Sequence, residues 1–277
     1  MSFVEILKVI TVGIVEGFTE WLPVSSTGHL LLLDELISLN VSPEFKDLFL
    51  TVIQMGTMAA VIMLFFRRLN PFSGRKRPEQ KKATWLLWSK IILSCIPAAL
   101  IGVLVEDFIE EKMHSPFVIA AMLILYGALF IIIENRIRYK QPRITRLGQI
   151  DYQLALYLGL IQILALIPGT SRSGTTILGA ILLGFARPVA VEFSFFMGIP
   201  VIAGAGLLKI VKYEGAFTGT EIAYLIIGTL AAFLVSLYAV RFIIGWIRKN
   251  DFKLFGYYRI ALGIIVFLWF AVSGLVN

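Results

Sequence analysis

Two short stretches hold most of the residues able to do chemistry. "EGFTEWLPVSSTGH" (residues 16–29) carries Glu16, Glu20, Ser25, Ser26, Thr27 and His29, and "PGTSRSGTT" (residues 168–176) carries five hydroxyl residues around Arg172. Glu16 and Glu20 lie four residues apart, which puts both carboxylates on one face of a helix. Both sit in an apolar run, where a carboxylate needs a cation, a proton or an arginine. One reading points them into a water-filled vestibule near the outer surface. The sharper reading makes them hard oxygen ligands for a divalent cation, magnesium or calcium, completed by water and substrate phosphate oxygens.

Pro23 can open a new helical turn. Ser26 and His29 then fall at i and i+3 and can face one another, the minimum arrangement for an activated nucleophile. Ser25 reads more readily as a helix cap, and Thr27 adds a further hydroxyl. His29 is one of two histidines and is followed by four leucines. The other, His114, stands beside Lys112 in a connection and reads as solvated.

Arg172 is the most informative residue. A guanidinium keeps its proton, so within a membrane it requires an anion or a water cavity. Thr170, Ser171, Ser173, Thr175 and Thr176 surround it, while Gly169 and Gly174 free the backbone. Hydroxyls, exposed amides and the start of a helix make an anion cradle, to which arginine adds bidentate geometry. An arginine paired with Glu16 or Glu20 merely to lock the two stretches together is the alternative, and the two readings are compatible without substrate. Two carboxylates, a serine, a histidine and an arginine cradle are together the parts of phosphoryl transfer.

The elements that must position these residues follow from composition. The 277 residues are 58% hydrophobic and 16% charged, with a mean hydropathy of +0.86, against about 25% charged in soluble domains. This is an all-α polytopic membrane protein forming a single membrane domain over 1–277. Cys95 stands alone, which excludes an internal disulfide and a thiolate metal cage. The net charge of +7 is better explained by loop asymmetry than by nucleic acid. The N-terminus lacks a basic region and a cleavage site, so the first segment is expected to be retained.

Six full spans are expected, at Asp47–Phe66, Trp85–Val105, Phe117–Ile133, Phe193–Leu208, Ile222–Val240 and Ile260–Val276. Basic residues crowd Arg67–Lys82, Arg136–Arg146 and Arg248–Arg259. Acidic ones mark the connections with Asp34, Glu35, Glu44 and Asp47 and with Glu106, Asp107, Glu110 and Glu111. The basic segments therefore face the cytoplasm and both termini fall outside. The count closes only if residues 3–33 and 151–186 are re-entrant helical hairpins, each with its polar turn buried at depth and lined by protein or water. The hairpins resemble each other: Gly13 answers to Gly159, Glu16 to Gln162, Pro23 to Pro168 and Ser26 to Ser171, with a one-residue slip before the proline. Each is followed by three spans, an odd number of crossings. The architecture is thus an inverted-topology repeat, about 1–146 and 147–277, with the two turns meeting near the midplane to form one site. A site among spanning helices implies a phosphate carried on a lipid.

"EGFTEWLPVSSTGH" and "PGTSRSGTT" resemble the two signatures of the undecaprenyl-diphosphate phosphatase family, the integral membrane bacitracin-resistance proteins of bacteria, over essentially the full length. The resemblance implies hydrolysis of undecaprenyl diphosphate to undecaprenyl phosphate and inorganic phosphate, recycling the lipid carrier of cell-wall synthesis. It also implies dependence on a divalent cation, a place in the bacterial plasma membrane and a site open to the outer side. Glu16 and Glu20 match the family's acidic pair, Ser26 and His29 its serine and histidine, and Ser171, Arg172 and Thr176 its arginine motif. The motif fits attack by Ser26, by His29 or by a metal-activated water. The other phosphatase class suggested by "SSTGH", the lipid phosphate phosphatases, is rejected, because Leu178 stands where that class needs histidine. A polyprenyl-phosphate flippase or transporter is the rival from another class. The apolar outer faces permit a homodimer without requiring one.

Overall fold

The backbone is helical almost throughout, and residues 2–276 are described by this computed structural model, apart from the side chains at positions 106, 107, 110 and 274–276. The acidic side chains of Glu106, Asp107 and Glu110, used above for orientation, therefore lie outside the described set, as do Met1 and Asn277. In chain order the helices are α1 (Phe3–Thr19), α2 (Ser26–Ile37), α3 (Pro43–Leu64), a single turn α4 (Phe66–Leu69), α5 (Pro78–Phe108), α6 (Pro116–Ile137), α7 (Tyr152–Gln162), α8 (Arg172–Leu182), α9 (Arg187–Lys212), α10 (Gly219–Ile247) and α11 (Lys253–Val276). Six of these, α3, α5, α6, α9, α10 and α11, are long and apolar enough to cross a membrane. They overlap the six expected spans and each runs further at one end or both, although α3 stops at Leu64, two residues short of Phe66.

The long helices begin where side chains satisfy their first amides. Ser42 and Ser115 each accept from the amide three residues on, at 3.2 Å, and each is followed by a proline that needs no partner. Thr218 and Glu221 form a reciprocal cap at the start of α10. Leu100, Val103, Leu104, Leu230 and Leu234 are exposed along the outer faces, as a hydrocarbon solvent allows.

Inside, backbones meet at glycines, since side-chain packing rather than the exclusion of water holds helices together in lipid. α1 lies on α10, where a Cβ on Gly13 would stand 2.6 Å from the Gly228 carbonyl oxygen and one on Gly17 2.5 Å from that of Ala232. α7 lies on α5, where a Cβ on Gly159 would stand 2.6 Å from the Ser94 carbonyl oxygen. α6 and α11 pair through Gly127 and Gly256, with a Cβ on either 2.7 Å from the other's carbonyl oxygen. The first helix of each short hairpin thus rests on a long helix from the opposite half of the chain. Buried Glu134 of α6 pairs with Arg187 and accepts from the Phe252 amide at 3.2 Å, tying α6, α9 and the approach to α11 together.

Gly17→Leu is expected to cost about 1–3 kcal/mol or more of stability by overpacking, read as a lowered midpoint of thermal unfolding in detergent. Gly74→Leu, at a glycine with nothing within 4 Å, should leave the midpoint unchanged; equal midpoints for both variants would contradict the close α1–α10 crossing.

Candidate functional site

Both short hairpins break at a serine held in the left-handed region, Ser25 at φ 72° and Ser171 at φ 69°. That conformation is costly for a side-chain-bearing residue and survives only where its surroundings enforce it. Helix α2 starts at the next residue, Ser26, and α8 at the next residue, Arg172. The expected one-residue slip is therefore absent. Ser25 corresponds to Ser171 and Ser26 to Arg172, at the same chain separation that relates Gly13 to Gly159 and Glu16 to Gln162. Pro23 stands two residues before its left-handed serine and Pro168 three before its own, so the prolines are out of step with the helix starts.

The turns touch directly. The Ser173 hydroxyl is 3.2 Å from the carbonyl oxygens of both Glu20 and Leu22. Arg172 donates from Nη2 to Glu20 Oε1 at 3.0 Å and from Nη1 to the Ser194 carbonyl at 3.0 Å, and its guanidinium lies 5.1 Å from the Trp21 ring centroid. Ser26 donates to the other oxygen of Glu20 at 3.1 Å. One carboxylate, at the end of α1, thus joins the first residues of α2 and α8. Glu16 is fully buried one turn earlier, and neither of its carboxylate oxygens has a hydrogen-bond partner.

Ser26 and His29 do not form the expected pair. His29 Nδ1 lies 2.7 Å from the Ser25 carbonyl and Nε2 lies 2.6 Å from the Tyr258 hydroxyl. A carbonyl only accepts, so Nδ1 carries a proton; in the neutral ring Nε2 is then the acceptor and the tyrosine donates to it. Broken at the left-handed serine, the chain offers the Ser25 carbonyl to the ring four residues on, and this turns the imidazole away from Ser26. Several hydroxyls of the second motif are likewise turned inward. Thr170 bonds the Ile167 carbonyl at 2.7 Å, and Thr176 bonds the Arg172 carbonyl at 2.8 Å and the Ser194 hydroxyl at 2.5 Å. Ser171 caps the Gly174 amide at 3.2 Å. Thr27 is half-buried without a side-chain hydrogen bond among the described residues, and the buried Ser25 hydroxyl has none. His114 is exposed.

The amides of Ser171, Arg172 and Ser173, and those of Ser26, Thr27 and Gly28, have no hydrogen-bond partner among the described residues. Two helix starts of this kind, beside Arg172, present donors without an acceptor, which suits an anion.

Sequence reasoning missed four residues. Trp21 and Ser194 hold Arg172 in place, and Tyr258 holds His29. Arg259 was read as part of a basic loop, but it lies within α11 and is fully buried. It donates from Nη1 to the Pro23 carbonyl at 3.3 Å and from Nη2 to the carbonyls of Gly169 and Thr170, each at 2.9 Å. Its guanidinium faces the Tyr126 ring at 5.6 Å, and it makes no ion pair among the described residues. The available signal was the argument applied to Arg172, since a lone arginine is followed by the apolar run "IALGIIVFLWF".

A divalent cation fits the acidic pair on one observation, the two buried and unpartnered oxygens of Glu16. No cluster of three or more His, Cys, Asp or Glu exists among the described residues, so water and substrate oxygens would have to complete the shell, as magnesium in particular accepts.

Fold and site together define a multi-pass helical membrane protein with an arginine–carboxylate site shared by two broken hairpins. A family model described as bacitracin resistance protein BacA matches residues 9–265. An undecaprenyl-diphosphatase of Lachnoclostridium phytofermentans is 53% identical over 273 residues, covering 99% of this chain and 100% of that protein. Those of Desulfitobacterium hafniense and Enterococcus faecalis are 50% and 48% identical, over 100% and 98% of this chain and 100% and 99% of theirs. The chain belongs to the bacitracin resistance protein BacA family.

Nitrogen-15 NMR of the labelled imidazole should find His29 protonated at Nδ1, with Tyr258→Phe moving the Nε2 resonance much more than that of Nδ1. An unprotonated Nδ1 in the unsubstituted protein would rule out the contact with the Ser25 carbonyl.

Proposed function

We infer that this chain hydrolyses undecaprenyl diphosphate to undecaprenyl phosphate and inorganic phosphate, recycling the lipid carrier of cell-wall synthesis and conferring bacitracin resistance. Identity near 50% over the full length of the named relatives supports the reaction. The observation that supports the site is the continuous chain Arg172–Glu20–Ser26, which crosses between the turns beside two helix starts whose first amides have no partner among the described residues.

In this reading the diphosphate takes the place of the internal anion. Arg172 leaves Glu20 for the terminal phosphoryl oxygens, and the amides of Ser171–Ser173 bind beside it. Ser26 Oγ attacks the terminal phosphorus, and its proton passes to the Glu20 oxygen it already faces. The bond from that phosphorus to the bridging oxygen breaks, and its electron pair leaves on undecaprenyl phosphate, which takes up the proton. Water then attacks the phosphoserine, releasing inorganic phosphate and restoring the hydroxyl. When bound, a divalent cation held by Glu16 and Glu20 supplies positive charge for the diphosphate oxygens. The base for Ser26 is Glu20, since His29 is engaged with Ser25 and Tyr258.

The matching element order of the two halves, and the exchange of hairpins between them, support the inverted repeat about 1–146 and 147–277. The charge pattern of the connections supports outward-facing termini and a site that opens to the outer side.

Detergent-solubilised protein is expected to release phosphate from a polyprenyl diphosphate with added magnesium or calcium. Arg172→Lys should lose about 10²–10³-fold in kcat, because a point charge replaces a planar fork, and Glu20→Gln should be inactive while folded. Rapid acid quench should trap phosphate on Ser26. Full turnover in Ser26→Ala would transfer the attack to water.

A further inference from the structure

Arg259 stands outside both signature stretches, yet among the described residues it is the one side chain that bonds the backbone of both turns. Its three acceptors are carbonyls, at Pro23 in the first turn and at Gly169 and Thr170 in the second. A trans peptide points its N–H opposite to its carbonyl, and no cis peptide occurs among the described residues. Holding these carbonyls therefore sets where the following amides point. Two of the three bond back within their own turns, Val24 to the Leu22 carbonyl at 2.8 Å and Thr170 to that of Ile167 at 3.2 Å. The third, Ser171, has no acceptor and opens the unpaired series Ser171–Arg172–Ser173. Gly174, one residue on, leaves room for the guanidinium, since a Cβ there would lie 3.1 Å from Arg259 Nη1. Nε of Arg259 is itself buried without a partner.

A buried cation held only by carbonyls and an aromatic face is costly where no anion is near. Arg172 has Glu20 for a counter-charge, whereas Arg259 has none. A ligand bringing negative charge to the adjacent amides would relieve that cost. Resting on the diphosphatase reading above, we propose that Arg259 is a positioning residue for the reaction: it locks the two turns in register, aims the Ser171–Ser173 amides at the diphosphate, and leaves its positive charge uncancelled until the substrate arrives. Lysine keeps the charge but concentrates its donors on one atom, so it cannot span carbonyls of two turns as the fork does. Tyr258, the residue before it, ties α11 to His29 of α2 and holds the same strut against the first turn.

The test compares unsubstituted protein with Arg259→Lys and Gly174→Ala in detergent. It measures kcat and KM for a polyprenyl diphosphate, affinity for its non-hydrolysable methylene-bridged diphosphonate, and the unfolding midpoint. Arg259→Lys is expected to lower kcat about 10²-fold, the scale of a misplacement near 1 Å, and to weaken the diphosphonate about tenfold in protein that still unfolds cooperatively. Gly174→Ala, whose methyl presses on Nη1, should lower kcat in the same direction and keeps the test available if Arg259→Lys does not fold. Unchanged kcat and affinity in either folded variant would overturn the proposal, as would a midpoint loss with kcat per folded molecule intact. If unsubstituted protein releases no phosphate, the diphosphatase reading fails. The diphosphonate affinities then still decide whether Arg259 orders the anion cradle.

Discussion

Peptide groups that leave a helix inside hydrocarbon must find partners within the protein, and the rest of this molecule is arranged around meeting that demand at two places. The breaks at Ser25 and Ser171 expose carbonyls and amides in the interior between the helices. The carbonyls are answered across the gap, with Ser173 reaching the Glu20 and Leu22 carbonyls and Arg259 reaching Pro23, Gly169 and Thr170. Neither turn could be buried alone, because much of what satisfies each comes from the other or from α11. The amides at the starts of α2 and α8 are left over, and those leftover donors are where an anion belongs.

Charge follows the same logic. Glu16, Glu20, Arg172 and Arg259 lie within one buried region, but only Glu20 and Arg172 pair. A site whose charges were all cancelled internally would be a lock, and one with none cancelled would be too costly to fold. Here one pair joins the turns, while a carboxylate and a guanidinium have no charged partner among the described residues. A diphosphate would match the remaining guanidinium in sign, and a cation would match the remaining carboxylate.

Glycine makes the arrangement sterically possible. At Gly13, Gly17 and Gly159 the short hairpin helices approach their long partners so closely that a Cβ would strike backbone. A Cβ on Gly198 would lie 2.8 Å from the Arg172 guanidinium carbon, so α9 also makes room for the charged group. The scaffold's close crossings and the placement of the site's cation therefore rest on one feature of the sequence.

Much of this was legible before any coordinates. Six long apolar segments, two polar interruptions and the sign pattern of the connections identify an all-α membrane protein with two broken hairpins, because hydrocarbon permits so few alternatives. The residue types in "EGFTEWLPVSSTGH" and "PGTSRSGTT" name phosphoryl chemistry for the same reason, since carboxylates and arginine are too costly at depth to be incidental. Tertiary structure alone decided the partners: that Glu20 rather than His29 faces Ser26, that Tyr258 occupies the imidazole, that Thr170 and Thr176 turn inward, and that Arg259 belongs to the site and not to a loop. Periodicity reports which face of a helix a residue occupies. Which of several nearby polar groups it bonds depends on backbone angles at two left-handed serines and on contacts between residues more than two hundred positions apart, and no local pattern encodes those.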